Sequence, residues 1–254
     1  MSNAELFSTV AREYANFRPG YPPELFAWLA RVAPARDAAW DCGCGSGQAS
    51  TALAEHFARV HATDIAPQQI AAARAHDRVC YSVASAEHSG LPAASVDLVT
   101  VAQALHWFDV DAFYAEARRV ARPGGLLAVW NYPRPRFVDA ELDRRFLEFY
   151  SGVVGPYWPA ERRHIEANYA TLPAFPKELA FEELPTPSFG LTLRWNLEQV
   201  LGYVSSWSAT TRYRKANADD PVPLLRASLQ GAWPGEGAIV EIRLPIGLRA
   251  ARLA

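Results

Sequence analysis

The chain has 254 residues, and 50% of them are hydrophobic, which is enough for one large domain or for a domain with a lid. Its 25 basic and 27 acidic residues are intermixed, so there is no polybasic run that would bind nucleic acid or an anionic membrane surface. No apolar run reaches the roughly 20 residues of a membrane-spanning helix, and the first residues lack a signal-peptide pattern, so we expect a cytoplasmic protein.

Short β-rich runs alternate with helix-like segments between about residues 38 and 131. This alternation is typical of a doubly wound parallel sheet. Because each connection is too long for a hairpin and long enough for a helix, we expect the strands to run parallel. The predicted strands are 38–42, 59–64, 78–84, 96–102 and 126–131. The helices predicted between them are 49–58, 67–76 and 111–121.

The regular alternation ends after residue 131, where prolines and aromatic residues cluster. The elements predicted beyond this point are a mixed helical region at 161–169, a strand at 189–195, a helix at 196–207 and a final strand-like run at 238–254. We expect the final run to close the edge of the sheet. The chain is therefore divided into a ligand-binding core with an N-terminal closing segment (1–131), a lid insertion (132–210) and a C-terminal completion of the core sheet (211–254).

The sequence DCGCGSG, residues 41–47, follows the first predicted strand and raises two alternatives: a metal or redox site on the cysteines, or a backbone cradle on the glycines. The chain has 3 cysteines, with no second Cys pair and no His at metal-ligand spacing. This pattern disfavours a zinc site and indicates a reducing compartment. Glycines at 43, 45 and 47 let the backbone turn tightly and approach a ligand at the start of the next helix. The cradle is therefore the preferred interpretation.

The spacing of these glycines also bears on the kind of ligand. The third glycine falls one position earlier than in the dinucleotide motif, and the carboxylate of Asp41 disfavours a pyrophosphate. Asp41 is instead expected to accept hydrogen bonds from a ligand ammonium group, directly or through the loop.

Polar groups follow the next three predicted strands as well. Asp64 ends the second strand, where its carboxylate can bind both hydroxyls of a ribose. Ser85, Ala86 and Glu87 follow the third strand and can face the edge of an adenine, and residues 103–107 follow the fourth strand. Together, these groups at one rim of the sheet indicate a nucleoside ligand with an amino-acid tail.

At this point the sequence resembles a known family. DCGCGSG, ATDIAPQQI, ASAEHSGLP and AQALHWFD are similar to the successive motifs of Rossmann-like, class I S-adenosylmethionine-dependent methyltransferases of the small-molecule branch, which carry a type 11 methyltransferase domain. HWF, RPGYP, PYWP and SSWSA resemble the trans-aconitate and cantharidin methyltransferase-like proteins. The match covers roughly residues 8–131 and is weaker beyond them.

The resemblance implies both a fold and a cofactor. The implied fold is a mostly parallel α/β sheet with an antiparallel edge strand, helices on both faces and a helical lid insertion. The implied cofactor is S-adenosylmethionine, with S-adenosylhomocysteine as product. No metal is expected.

The same resemblance implies individual roles at the cofactor site. Gly43 and Gly45 are expected to line the methionine portion, Asp64 to hold the ribose and Ile65 to pack on the adenine. The main chain at Gln103 is expected to meet the methionine ammonium group.

Two parts of the chain qualify this assignment. Many relatives carry an acidic residue where this chain has Ser85, so the adenine amino group is expected to bind through Glu87 or more weakly. Tyr14 and Arg18, in the N-terminal segment, suit the methionine carboxylate. The full set of expected cofactor-binding residues is Tyr14, Arg18, Asp41, Gly43, Gly45, Gly47, Asp64, Ile65, Ser85, Ala86, Glu87, Gln103, Ala104 and Trp107.

Methyl transfer from a sulfonium is an in-line displacement that needs alignment and a dry site more than acid–base machinery. A carboxylate acceptor needs no base, whereas a hydroxyl or an amine does. His106 is the candidate base, and the alternative is that it only forms the wall of the pocket.

Aromatic residues in the lid region are candidates for substrate contact. They are Tyr150, Tyr157, Trp158, Trp195 and Trp207, and the alternative for each is a place in the lid core. Arg162, Arg163 and Arg194 can bind a carboxylate substrate or lie on the solvated surface.

The sequence therefore predicts an S-adenosylmethionine-dependent methyltransferase that acts on a small organic molecule, with oxygen of a carboxylic acid or hydroxyl as acceptor. The acceptor atom rests on the resemblance alone. The alternatives are a non-catalytic cofactor-binding or sensing protein and, disfavoured by the glycine spacing, a nicotinamide-dependent oxidoreductase. The expected partner is a small-molecule substrate, with neither nucleic acid nor membrane, in a monomer or a homodimer.

Overall fold

Five parallel strands form the centre of the fold in the computed structural model, which describes residues 19–253. They are β1 (Ala38–Cys42), β2 (Arg59–Asp64), β3 (Val79–Val83), β4 (Val96–Ala102) and β5 (Ala121–Asn131). Their order in space is β3-β2-β1-β4-β5, and each neighbouring pair is parallel. The chain order reverses between β1 and β4, and ligands of open α/β sheets bind in the crevice beyond the strand ends at such a point.

The predicted strands are confirmed, with small differences at their ends. Strands β1, β2 and β4 have the predicted bounds, and β3 is one residue shorter at each end. Strand β5 begins at Ala121 rather than at residue 126, because a shift in its register with β4 lets the Arg-Pro-Gly-Gly segment join the strand.

Helices cover both faces of this sheet. They are α1 (Pro23–Val32), α2 (Gln48–Ala54), α3 (Pro67–Ala71) and α4 (Val110–Val120). Leu98 of β4 packs with α1 and α2 on one face, whereas its neighbour Val99 packs with α4 on the other. This alternation follows from the two-residue period of a strand, and it divides the buried residues of the sheet between two cores.

Helix α3 ends at Ala71, five residues earlier than its pattern predicts. The backbone N–H of Arg74 donates to the carbonyl of Ser46 in the glycine loop, and its carbonyl accepts from the Tyr81 hydroxyl. These tertiary hydrogen bonds draw the chain away from a helical path that the alanine-rich sequence favours. Helix α2 likewise ends at Ala54 instead of residue 58.

The long last strand, β9 (Val240–Leu253), is antiparallel to the rest of the sheet. Its carboxyl half lies between β5 and a short strand, β7 (Phe181–Leu184). Its amino half pairs with β6 (Arg136–Phe137) and β8 (Phe189–Trp195). Strand β9 therefore joins the core sheet to the structure that follows residue 131.

That second structure is mainly helical. It contains α5 (Ala140–Glu148), α6 (Arg162–Glu166), α7 (Leu197–Ser205), α8 (Ser208–Asn217) and α9 (Val222–Gln230). Local sequence starts two of these helices, because the Asp139 side chain caps α5 and Asn196 with Gln199 forms a capping box on α7. Helices α5, α7 and α9 share a third buried core with β6, β8 and β9. No helix in residues 19–253 is long and apolar enough to cross a membrane.

Candidate active site

The glycine loop lies between β1 and α2, at the carboxyl edge of the sheet. Gly45 has a φ of +54°, and a Cβ there would meet nothing nearer than Gln69 Oε1 at 3.8 Å, so its face is open to the cavity beyond. Gly47 has a φ of +85°, and a Cβ there would overlap the Tyr81 hydroxyl. Only glycine satisfies both the left-handed backbone and the close approach of Tyr81.

The two cysteines of the loop are buried fillers. Burial, followed by the nearby charge of Asp41, raises the pKa of the Cys42 and Cys44 thiols above their ordinary value. Neutral, buried thiols are poor nucleophiles and poor metal ligands. Within the described part of the chain, no three His, Cys, Asp or Glu side chains converge as a metal site would require. The chemistry of this loop therefore lies in its backbone.

Asp41 lies behind the loop and not in the cavity, which differs from the direct ligand contact that the sequence allows. Its carboxylate is fully buried and accepts hydrogen bonds from Ser50 Oγ at 2.5 Å and Thr100 Oγ1 at 3.0 Å. Burial raises its pKa to about 6, against the hydrogen bonds from Ser50 and Thr100, which lower it. Asp41 thus ties β1 to α2 and β4 beneath the loop.

Asp64 lies at the end of β2 and faces the cavity. Its Oδ2 accepts the N–H of Gly45 at 2.8 Å, and its Oδ1 accepts the N–H of Ala66 at 2.9 Å. Burial raises its pKa, and these two hydrogen bonds oppose that shift. A carboxylate can accept about four hydrogen bonds, so Asp64 keeps acceptor capacity for a pair of ligand hydroxyls while it holds the loop.

Gln103 adopts a φ of +59°, in the left-handed region that residues other than glycine rarely occupy. Its N–H donates to the carbonyl of Trp130 at 2.9 Å, and its Nε2 donates to the carbonyl of Tyr132 at 3.1 Å. These bonds to the end of β5 hold Gln103 in place after β4. Strained backbone of this kind concentrates at functional sites, so it supports the end of β4 as part of the site.

His106 lies in a short 3₁₀ turn (Leu105–Trp107) and is buried in the cavity wall. Its Nδ1 is 3.3 Å from the hydroxyl of Tyr169. Burial, and then the charges of Arg162 and His164, lower its pKa to about 3. An imidazole with such a pKa is neutral at pH 7 and is a weak proton acceptor, so the structure favours the wall over the base for His106.

A cavity of about 400 Å³ connects the strand ends to the helical structure above them. Its sheet side includes residues 43–46, 64–66, 84, 86–87, 102–104 and 106–108, and its lid side includes residues 158–159, 162, 165, 203 and 206–208. The predicted site residues that line it are Gly43, Gly45, Asp64, Ile65, Ala86, Glu87, Gln103, Ala104, His106, Trp107, Trp158 and Trp207. The ends of the strands thus converge as the sequence predicts.

Several predicted cofactor residues lie elsewhere. Asp41 and Gly47 support the loop from behind, and Ser85 forms an isolated bridge with His88. Tyr14 and Arg18 lie outside the described residues.

Three of the five predicted substrate residues are part of the packing of the helical structure that follows residue 131, because large aromatic side chains gain most from burial wherever they fall. Tyr150 hydrogen-bonds Glu166 and packs edge-on against Trp207. Tyr157 packs against the ring of Tyr213, and Trp195 packs against Tyr203.

The cavity also contains residues that the sequence interpretation missed. Tyr21 lies in the RPGYP motif that the resemblance singled out, and Tyr132 directly follows the fifth strand, so both had a signal. Arg162 was one of three arginines that the sequence offered for binding a carboxylate substrate, and the sequence did not distinguish it from Arg163 and Arg194. Ser206 lies in the SSWSA motif of the resemblance and so had a signal too, whereas Tyr203 had none, because the packing of α7 alone brings it to the cavity.

The arrangement fits a nucleoside that carries an amino-acid tail. A carboxylate suits the ribose hydroxyls, Ile65 presents an apolar side chain that is 64% exposed, and Ala86 and Glu87 follow on the adjacent strand end. The open backbone of Gly45 leaves room for close approach of the tail. An open α/β sheet with this loop and this acidic residue defines the class of Rossmann-like methyltransferases.

Comparison with known proteins supports this class. Residues 40–129 match the family model described as a methyltransferase domain. A protein of Dictyostelium discoideum named as a methyltransferase is 32% identical over 247 residues, which cover 94% of this chain and 92% of the relative. A solved structure described as a type II methyltransferase from Anaeromyxobacter dehalogenans is 48% identical, covers 93% of this chain and 98% of its own, and has a TM-score of 0.85. A malonyl-[acyl-carrier protein] O-methyltransferase of Dechloromonas aromatica is 31% identical over 163 residues, which cover 61% of this chain and 58% of the relative.

This chain therefore belongs to the class I S-adenosylmethionine-dependent methyltransferases.

Proposed function

We propose that this methyltransferase transfers the methyl group of S-adenosylmethionine to an oxygen atom of a small organic molecule, either a carboxylic acid or a hydroxyl compound. The observation that carries the proposal is one continuous cavity that runs from the strand ends to the lid. Its sheet side has the groups that suit a nucleoside, and its lid side has aromatic and polar side chains that suit a small acceptor.

The residues of this chain bind and align the two reactants. Asp64 accepts hydrogen bonds from ribose hydroxyls, and its bonds to Gly45 and Ala66 keep the loop in register with it. Trp158 and Trp207 cover the lid side of the cavity and exclude water. S-Adenosylmethionine, when bound, supplies a methyl group that its sulfonium has already activated. Alignment and exclusion of water are therefore the main contributions required of the protein.

Two further observations support oxygen as the acceptor atom, and the first of them favours a carboxylic acid over a hydroxyl compound. His106, with its low pKa, is a poor base for deprotonating an amine or an alcohol, and a carboxylate needs no base. The relative from Dechloromonas aromatica is named as an O-methyltransferase. The cavity, bounded by the sheet on one side and by the helical structure on the other, supports a small-molecule substrate over a nucleic acid or a membrane lipid. The proposed active form is a monomer or a homodimer.

The first test is the melting temperature of the protein alone and with S-adenosylmethionine, S-adenosylhomocysteine or NAD. A ligand at 100-fold its Kd should stabilise the fold by about 2.7 kcal/mol. We expect a shift with the first two ligands and none with NAD. Asp64→Asn should lose about half of that shift or more, whereas the matched variant Asp77→Asn, at an exposed position outside the cavity, should keep it.

The second test is turnover with panels of carboxylic acids, alcohols, phenols and amines, with S-adenosylhomocysteine formation as the assay and mass spectrometry of the product. Ester or ether products would support the proposal. Products methylated only at nitrogen or sulfur, or cofactor binding without turnover in any panel, would contradict it.

A further inference from the structure

Arg162 presents an unused part of its guanidinium to the cavity. The side chain is 17% exposed, lines the cavity and lies over the ring of Trp158, with Cζ 4.6 Å from the ring centroid. Both of its hydrogen bonds, to Tyr150 Oη and Glu166 Oε1, use Nε. Among residues 19–253, no acceptor is bonded to Nη1 or Nη2, so four N–H donors remain for a ligand.

His106 offers a second donor, which follows from the hydrogen bonds of Tyr169. The Tyr169 side chain is fully buried, and its hydroxyl is 3.3 Å from His106 Nδ1. Its own proton needs an acceptor, and His106 Nδ1 is the partner that the described residues supply. Because Nδ1 accepts, the neutral ring carries its proton on Nε2, and this N–H is left for the cavity that the ring lines.

Trp158 forms part of the wall at the same end. Its indole Nε1 has no acceptor within the described part of the chain, but this atom is buried and does not face the open space of the cavity. The acidic residues that line the cavity, Asp64 and Glu87, lie at the ends of β2 and β3, and Glu166 does not line it. The lid side therefore keeps N–H donors of Arg162 and His106 beyond those that the ion pair with Glu166 uses, and no acidic residue lines the cavity there, which suits an anionic ligand.

The walls around these donors are apolar. Ile165, Tyr203 and Trp207 line this end of the cavity together with Trp158. Although burial disfavours its charge, the neighbouring Tyr150 and Glu166 raise the pKa of Arg162 above its ordinary value, so the guanidinium stays cationic. The site thus combines one fixed cation with an apolar aromatic surface.

We propose that Arg162 and His106 bind the carboxylate of an apolar carboxylic acid, and that this carboxylate is the methyl acceptor; the inference rests on the proposed function. In the reaction, a carboxylate oxygen forms the new bond to the methyl carbon while the carbon–sulfur bond breaks and its electron pair stays on sulfur. An anionic acid and a cationic sulfonium become a neutral ester and a neutral thioether, and no proton moves. Because the ester has lost its charge, Arg162 holds the product less tightly than the substrate, which favours release.

The test measures binding of cinnamate and of cinnamamide, its uncharged counterpart, by calorimetry with S-adenosylhomocysteine at saturation. We expect the wild-type protein to bind the acid at least about tenfold more tightly than the amide, the effect of a charge-assisted pair. Arg162→Gln should weaken binding of the acid by about 10- to 100-fold and leave binding of the amide unchanged. The matched control is Arg163→Gln, which makes the same charge change at an exposed neighbour outside the cavity and should change binding of the acid less than twofold.

Variants of His106 distinguish a role as hydrogen-bond donor to the acid from a role as general base. His106→Gln keeps an N–H donor and should keep most of the binding and the esterification, whereas His106→Leu should weaken binding of the acid. Loss of turnover in His106→Gln with intact binding of acid and cofactor would overturn the role of donor. If Arg162→Gln does not fold, the comparison of the acid with the amide in the wild-type protein still measures the preference for an anion. Arg162→Lys, which keeps the positive charge, then tests the contribution of the charge alone.

The failure of this inference differs from the failure of the proposed function. Equal binding of acid and amide, or equal loss in the two arginine variants, overturns the carboxylate site even where ethers form from phenols or alcohols. A different result overturns the proposed function and the role of the carboxylate as acceptor. In that result, binding of the acid depends on Arg162, but the enzyme methylates only nitrogen or sulfur atoms of other acceptors.

Discussion

His106 should make the folded protein lose stability as the pH falls from 7 to 5. Its ordinary pKa of 6.5 applies to the unfolded chain, and burial lowers the folded-state pKa to about 3. The unfolded chain therefore binds a proton first, so this contribution to stability is present above pH 6.5 and is lost as the pH falls towards 3. The charged or titratable groups that face His106 are Arg162 and His164 of the α6 helix and Tyr169.

The size of the effect follows from linkage. Protonation stabilises the unfolded chain by about 0.2 kcal/mol at pH 7 and by about 2 kcal/mol at pH 5, whereas the folded-state group takes up almost no proton in this range. His106 alone should therefore lower the free energy of unfolding by about 2 kcal/mol between these two pH values. Asp41 acts with the opposite sign, because its raised pKa of about 6 lets the folded state take up a proton first.

The assay compares urea denaturation of the wild-type protein and of His106→Gln at pH 7 and pH 5. The difference between the two proteins isolates His106, because Asp41 contributes to both. His88→Gln, at an exposed histidine, is the control and should keep the pH dependence of the wild type. The quantity compared is the change in the free energy of unfolding between pH 7 and pH 5. If this change differs by less than about 0.5 kcal/mol between wild type and His106→Gln, or if NMR shows that His106 titrates near pH 6, the idea of a histidine held neutral by burial is refuted.

Three further changes test the site and its support. Asp64→Asn should weaken the affinity for S-adenosylmethionine by about 10- to 100-fold in calorimetry, because it removes charge-assisted bonds to the ribose; unchanged affinity would remove the residue from the site. Gly47→Ala should lower the free energy of unfolding by about 1–3 kcal/mol more than Gly90→Ala, because both glycines have positive φ but only Gly47 lies against a neighbouring tyrosine. Equal losses of stability in urea denaturation would contradict that contact. Asp97→Ala should lower the free energy of unfolding by about 3–5 kcal/mol, because this buried carboxylate accepts two backbone N–H groups and pairs with Arg122. Asp37 is the exposed second partner of Arg122, so Asp37→Ala should lower it by less than about 1 kcal/mol in the same assay.

The sequence predicted much of the sheet because the period of a strand and the turn that ends it are local properties. Strands β1, β2, β4 and β8 have the predicted bounds, and the residues that follow β1, β2 and β4 meet at one cavity. Helix starts are local as well, since a side chain such as Asn196 bonds to the backbone only three residues on.

The prediction failed where contacts between distant residues outweighed local preference. The chain after α3 is not helical, because Arg74 hydrogen-bonds Ser46 and Tyr81 instead. Asp41, which the sequence suggested as a ligand group, is buried and links β1 to α2 and β4 through Ser50 and Thr100. Neither outcome can be read from neighbours in the chain, because each depends on how the loop packs on the rest of the sheet.

The sequence by itself determined the order of strands and helices, the glycine loop and the acidic residue that ends β2, because these depend on spacing over a few residues. Only the tertiary structure decided which arginine of the lid reaches the cavity and what His106 can do there. Arg162 and Arg163 are adjacent in sequence, and the packing of α6 buries one and exposes the other. His106 Nδ1 lies 3.3 Å from the hydroxyl of Tyr169, 63 residues away along the chain, so the tautomer that we infer for His106 exists only in the folded protein.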